Sequence, residues 1–461
     1  MASKSKMYLF EKESIPRAVI ALSLPTVAAN LVSVLYSLAD TFFVGLLNNP
    51  IQTAAVSLAA PILLAFNAIN NLFGVGSSSM MSRALGENDI KTLHQASSFG
   101  FWGAALCSVL FSVLCLIFLD PLLVMMGANA ETLDPTNRYL FWTVILGACP
   151  AICNVVMAYL VRSEGATLNA AIGTMSGCLL NIILDPFFIL PQFLNMGAEG
   201  AALATFISNC VAVCYFLCYL FIKRRKTYVS ISPKDFTLKR KIVFGVCAVG
   251  IPASIQNLLN VVSQLLLNNI AALYGTVALA AIGIAMRAGN VLIYISQGIS
   301  QGVMPLVGYN WGARNYARLK KAFWFTMRLS LGVLLVLAAF YELFPATIME
   351  FFIDNEETVA IGQVLLRGIA LAMPFLAVDF MCVGVFQAVG KGLYSLILAI
   401  LRKAVFEIPF MFLLSHLFGL YGLGFSALCA EVLMSIIGLS MLVRFFRKAE
   451  KNLAASQNVK A

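Results

Sequence analysis

The chain is a succession of long apolar runs separated by short polar punctuation. Runs near 16–46, 54–80, 95–118, 137–160, 167–190, 199–222, 243–269, 278–304, 323–345, 362–387, 393–416 and 420–443 each hold enough apolar residues for one bilayer crossing. A crossing needs about 20 such residues in a helix. In lipid the backbone must satisfy its own hydrogen bonds, which a helix does. The pattern therefore predicts an all-α integral membrane protein of twelve transmembrane helices. The first run follows Lys4, Lys6 and Lys12 and continues through Val44, too long for the apolar core of a secretory signal, so none is expected. The longest polar stretch, around Lys223–Lys241, reads as a loop.

The pattern repeats. SLPTVAANLVSVLYSLADTFFVGLL from Ser23 parallels GIPASIQNLLNVVSQLLLNNIAALYG from Gly250, with Pro25 and Pro252 aligned. SRALGENDIKTLHQA from Ser82 parallels GYNWGARNYARLKKA from Gly308, and GAEGAALATFIS near Thr205 resembles GLYGLGFSALCA near Ser426. The offset stays at about 222–227 residues. Expected are two pseudo-symmetric six-helix lobes, 1–222 and 243–461, joined by a basic linker at 223–242, with a central cleft. Six spans per half insert both lobes in the same orientation. Repeat-built transporters place substrate between their repeats and alternate access by rocking them.

Composition sharpens this. The 461 residues are 61% hydrophobic and 11% charged, with mean hydropathy +0.89. Soluble chains carry about 25% charged residues, so the lipid bilayer is the expected surrounding. The net charge of +10 would suggest nucleic acid in a soluble protein. Here most of the 31 basic residues fall on alternate loops, chiefly the 6–7 linker, the 8–9 loop from Arg314 to Lys321, and the tail from Arg444 to Lys451. The opposite loops carry Asp120, Glu131, Asp134, Glu199, Glu350 and Asp354. By the positive-inside rule both termini are expected in the cytoplasm. This accounts for the charge without a nucleic-acid partner. The 11 cysteines lie mostly in apolar runs, and with only two histidines no transition-metal site is expected.

A charge at the bilayer centre costs about 2.5–3.5 kcal/mol on insertion scales, so ionisable residues inside spans are functional candidates. Asp40 lies in span 1 and Asp185 in span 5, with Asn181 one turn before Asp185. Thr205 in span 6 and Tyr139 at the start of span 4 complete a candidate cation-coupling set. Such oxygens suit a hard cation, and two neighbouring carboxylates also suit a proton. In the second half a leucine replaces Asp40, and Arg402, Lys403 and Glu407 fall near the Asp185 position. The spacing of Lys403 and Glu407 predicts an internal ion pair. Asp379 and Glu431 are lesser candidates.

Arg287, Asn290, Tyr294, Gln297 and Gln301 share one face of span 8. Asn67, Asn70, Asn71, Gly74 and Ser78 form a stripe on span 2, and Asn257, Asn260, Gln264 and Asn268 on span 7. With Tyr36 and Asn154, these are expected to line the substrate cavity or to bond between helices. Arg287 stands as the only isolated base within the spans, Arg162 being assigned to the 4–5 loop.

YSLADTFFVG, SRALGEND, NIILDP, GAEGAALAT and YNWGARN together resemble the MATE (multidrug and toxic compound extrusion) family over nearly the whole chain. Arg287 and the absence of an acid from span 7, where Gln256 and Asn257 stand, are more similar to its DinF/MepA-like bacterial branch than to the NorM-like one. The resemblance implies a secondary antiporter of the bacterial cytoplasmic (inner) membrane, exporting amphipathic, mostly cationic small molecules in exchange for Na⁺ or H⁺. It implies a coupling site on Asp40, Asn181, Asp185, Thr205 and Tyr139, no cofactor, no metal beyond Na⁺, and a monomer. The alternative is a lipid-linked oligosaccharide flippase of the same superfamily, which would need a strongly cationic cavity. No Ser/His/Asp set or HExxH motif supports an enzyme.

Overall fold

The computed structural model describes residues 2–47 and 49–458. Apart from two short helices, Leu119–Met125 and Pro345–Glu350, its helices are α1 (Ala2–Glu11), α2 (Ile15–Gly45), α3 (Pro50–Gly86), α4 (Ile90–Ile117), α5 (Leu133–Ile145), α6 (Ala148–Ser163), α7 (Thr167–Ile189) and α8 (Gly197–Ile222). After the linker come α9 (Arg240–Ala272), α10 (Thr276–Gly312), α11 (Tyr316–Leu343), α12 (Glu356–Ala388), α13 (392–418) and α14 (420–458). Ten stretches are individually long and apolar enough to cross a bilayer. α5 and α6, bent by 42°, build one further crossing. The stretch Gly392–Asn452 counts among the ten but is 61 residues long, about 90 Å of helix at 1.5 Å per residue. Gly419, at φ 61° and ψ −146°, breaks it into two. Twelve crossings result.

Several spans depart from the expected uniform helix. Span 4 is bent, because a wider π-type turn at Phe141–Ile145 precedes the break. Similar turns occupy Asn71–Val75 in α3 and Leu401–Glu407 in α13. Such turns rotate the following side chains and recur at functional sites. α3 and α10 also run several residues past the apolar windows, to Gly86 and Gly312, because their polar ends pack between the lobes rather than in water.

The repeat is visible in backbone detail. Asn88 and Arg314 are both left-handed at φ 57°, and Gly197 and Gly419 at φ 60° and 61°. Asp89 and Asn315 each follow the left-handed residue and cap the next helix. The Asp89 Oδ1 accepts from the Thr92 amide at 3.0 Å, and the Asn315 Oδ1 from the Arg318 amide at 3.1 Å. The Thr92 hydroxyl also donates to Asp89 and, with the backbone bond, holds that carboxyl below its ordinary range.

The lobes meet through α2, α3, α9 and α10, and the contact is reciprocal. A Cβ on Gly86 would strike the carbonyl oxygen of Tyr309, and one on Gly312 the carbonyl oxygen of Arg83. Arg83 and Tyr309 are repeat mates, as are Gly86 and Gly312. Ser82 and its mate Gly308 face each other directly. This is the contact of a pseudo-twofold axis running between the lobes. Among the described residues, the hydrogen bonds between lobes lie in the half bearing the basic loops. They include Asn30 to Tyr294 O at 3.2 Å, Ser254 to Ala68 O at 2.6 Å, and Ser79 to Gln387 O. Toward the opposite end no hydrogen bond among the described residues joins the lobes.

The basic end carries two further ties. α1 lies across it as a strap. Phe10 is fully buried, stacks on Tyr309 at 5.1 Å, and lies against Gly165. Arg318 donates from Nε to Phe10 O at 2.6 Å and from Nη2 to Glu13 O at 2.7 Å. The linker is pinned to the first lobe by Glu164, which accepts from the Tyr219 and Thr227 hydroxyls, both at 2.9 Å, and from the Tyr228 amide at 2.6 Å.

Candidate functional site

Two polar sites lie inside the spans, one per lobe. In the first lobe, α7 runs between its close contacts on α2 and α8. Gly173 and Gly177 meet Phe216 and the Ser208–Ala212 turn of α8, so the helices approach closely. One turn beyond these glycines, Asn181 and Asp185 are buried at 2% and 0% exposure. In the amide orientation that satisfies its partners, Asn181 donates to Asp185 Oδ2 at 3.0 Å. Its oxygen then accepts from the Thr205 hydroxyl at 3.2 Å and the Thr205 amide at 3.0 Å. The Tyr36 hydroxyl lies 3.4 Å from Thr205 Oγ1. Asp40, one turn beyond Tyr36 on α2, is half-buried and within electrostatic reach of Asp185. Tyr139 is buried and within reach of Asp40, Asp185 and Tyr36. The five residues expected as a coupling set are thus gathered in one place, with Tyr36 joining them. No ion pair among the described residues involves Asp40 or Asp185. The site offers carboxyl, amide and hydroxyl oxygens without a built-in base.

Of the cavity candidates, Asn154 is buried and donates to Asn209 Oδ1 at 3.2 Å, while Asn209 donates to Thr205 O at 2.9 Å. Asn154 is therefore tied to the acidic site through a residue the sequence did not single out. Asn70 is buried with its Oδ1 unpartnered. Asn67 and Arg287 are exposed, Tyr294 is 38% exposed, and Asn257, Asn290 and Gln297 are half-buried.

Arg287 is not the only unneutralised base. Arg162 belongs to the last turn of α6 rather than to a loop, and is 8% exposed because α10 of the other lobe covers it. It donates to Gln301 at 3.0 Å, lies 5.3 Å over the Tyr159 ring, and leaves Nε without a partner.

The second lobe holds the opposite chemistry. Arg402 is 3% exposed, 3.1 Å from Asp379 and 3.7 Å from Glu431, and donates to Asn260 at 2.8 Å. Lys403 pairs with Glu407 at 2.5 Å, as the four-residue spacing predicts, and Ser263 donates to Glu407 at 2.8 Å. The π-type turn at Leu401–Glu407 lets consecutive Arg402 and Lys403 both reach interior acids. Sequence spacing shows the Lys403–Glu407 pair but not Arg402 joining three further helices. The available signal is the presence of three acids and two bases within apolar spans.

A duplicated twelve-span fold whose lobes meet along a pseudo-twofold, with polar sites inside each lobe, defines a membrane transporter rather than an enzyme. The MatE family profile matches the chain twice, at residues 25–187 and 252–413, and the chain belongs to that family. It is 32% identical over 433 residues to the multidrug export protein MepA of Staphylococcus aureus strain MSSA476, covering 94% of each chain. It is 31% identical over 435 residues to MepA of Staphylococcus haemolyticus, again covering 94% of each. Among solved structures it matches a multidrug resistance MATE family transporter of the MOP superfamily in the outward-facing conformation. That match has TM-score 0.91 and 27% identity, covering 96% of this chain and 98% of that one. A Vibrio cholerae transporter, VcmN, shares the fold at TM-score 0.88 and 21% identity, covering 97% and 98%.

Proposed function

We propose that this protein is a multidrug exporter that expels amphipathic, mostly cationic small molecules from a bacterial cell in exchange for Na⁺ or H⁺. The observation that carries the reading is the acidic site of the first lobe. Asp40 and Asp185 are held with Asn181, Thr205, Tyr36 and Tyr139, without a neutralising base among the described residues. A monovalent cation supplies the missing charge and takes carboxylate, amide and hydroxyl oxygens as ligands. A cationic substrate is attracted to the same charge, so the two compete. Kinship to the MepA proteins supports export of drugs.

The lobes at 1–222 and 243–461, joined by the linker at 223–242, rock about the pseudo-twofold. The basic end, closed here, faces the cytoplasm with both termini, and the site opens outward. Asn67, Asn70, Asn154, Asn257, Arg287, Asn290, Tyr294 and Gln297 form the substrate wall, and one monomer suffices. One cation crossing 100 mV releases about 2.3 kcal/mol, enough for a roughly fifty-fold gradient of a neutral substrate; for a monovalent cationic substrate the two charges cancel, and the concentration gradient of the coupling ion drives the exchange. The test is efflux of cationic dyes from proteoliposomes with Na⁺ and pH gradients imposed separately. Acceleration by either gradient is expected. Transport indifferent to both would overturn the reading.

A further inference from the structure

Outside the cleft, at the basic end of the second lobe, is a cavity of about 450 Å³ that the transport cycle does not use. Three loops or helix ends converge on it: the 8–9 loop, the start of α13 and the end of α14. Arg314, Lys391 and Lys448 line it, with Trp311, Tyr394 and Phe445. The three bases come from three separate segments and face one space. None of them forms an ion pair among the described residues. The nearby Glu450 is engaged by Lys320 at 2.5 Å. The aromatic wall is ordered: Trp311 stacks on Phe445 at 5.2 Å, and Phe445 lies 6.2 Å from Tyr394.

We propose that this pocket binds the phosphate of an anionic phospholipid headgroup. Three convergent cations without counter-charge call for an anion, and a phosphodiester offers oxygens to several donors at once. Basic pockets between transmembrane helices bind such headgroups. The aromatic floor lies where the apolar spans end, at the depth where Tyr and Trp favour the membrane interface. That suits the glycerol and upper acyl region of a lipid better than a free ion. The pocket also touches the lobe contact. Gly312, the last residue of α10 before the 8–9 loop, lies on Arg83 O, and Gly390, next to Lys391, lies on the Arg83 guanidinium. An occupant bridging Arg314 and Lys391 therefore braces both loops that close the basic end.

The experiment is native mass spectrometry of the full chain titrated with phosphatidylglycerol or phosphatidylcholine, with glycerol phosphate and inorganic phosphate as soluble competitors. Each basic residue is worth roughly five-fold in affinity for an anionic lipid. The triple variant Arg314→Gln, Lys391→Gln, Lys448→Gln should lose roughly a hundred-fold of the phosphatidylglycerol preference. A control triple in the linker, Lys223→Gln, Arg225→Gln, Lys234→Gln, should keep it. Should the pocket triple fail to fold, Lys448→Gln alone should lose about five-fold. Equal binding of both lipids by the unaltered protein, or equal loss in both triples, would overturn the proposal. Displacement of the lipid by millimolar inorganic phosphate would assign the pocket to a free phosphate anion instead.

Discussion

The two lobes share a backbone and differ in what they bury. With the offset that relates Gly197 to Gly419, Asn181 and Asp185 fall on Lys403 and Glu407. In the first lobe this one-turn pair is an amide and an acid with no base. In the second it is a closed ion pair, flanked by Arg402 holding Asp379 and Glu431. Duplication conserved the helix packing and let the electrostatics diverge. A site that supplies its own counter-charge gains little from an external cation, whereas one lacking it does. Under the proposed antiport, this difference places coupling in the first lobe and rigidity in the second.

The largest expected effect tests that assignment. Asp185→Asn or Asp40→Asn should reduce gradient-driven dye efflux by about 100-fold or more, to the leak rate, as expected for an obligatory intramembrane acid. Undiminished efflux by well-folded protein would break the comparison. Arg402→Met should act instead on stability. It leaves Asp379 and Glu431 buried without their partner, a loss of about 3–5 kcal/mol. Thermal unfolding in detergent reads this, and adding Asp379→Leu should recover part of it. Next come the reciprocal glycines. Gly86→Ala and Gly312→Ala each drive a methyl group into the other lobe's backbone, costing about 1–3 kcal/mol as overpacking does. Both should open the basic end to a similar degree, measured by spin-label distances across it. Unequal responses would show that the pseudo-twofold does not govern closure.

The smallest effect compares the caps. Asp89→Ala and Asn315→Ala should each cost about 1 kcal/mol at neutral pH. Only the Asp89 cap titrates. Its carboxyl sits below the ordinary range because Thr92 bonds the charged form. Its contribution is therefore complete above the unfolded value of about 3.9 and is lost as pH falls through the lower folded value. The gap between unaltered and Asp89→Ala protein should close in acid, while the Asn315→Ala gap should not close through this titration. Denaturation midpoints at pH 7 and pH 3 read both.

Much of this was legible in the chain because the signals are local. Apolar runs gave the crossings, and the Ser82 and Gly308 motifs gave the repeat. The Asn181–Asp185 and Lys403–Glu407 pairs follow from helical spacing. What escaped depends on contacts between helices distant in sequence. Arg162 read as a loop residue because its cover, Gln301 and α10, lies in the other lobe. Arg402 joins residues on α9, α12 and α14, which no periodicity reveals. The π-type turns, which rotate side chains within apparently regular spans, leave no pattern of their own in these runs.

The strap formed by α1 also has a consequence for how the chain is made. Its anchors, Tyr309 and Arg318, lie about 300 residues downstream. At ribosomal speeds of about 5–20 residues per second, they emerge some 15–60 seconds after Phe10. Until then the aromatic ring of Phe10 has no Tyr309 to stack on. Seating of the strap must therefore wait until spans 8 and 9 have been synthesised, which makes it a marker that the second lobe has begun to assemble on the first. A newborn chain stalled after its first six spans should expose this segment to protease, and a finished one should protect it.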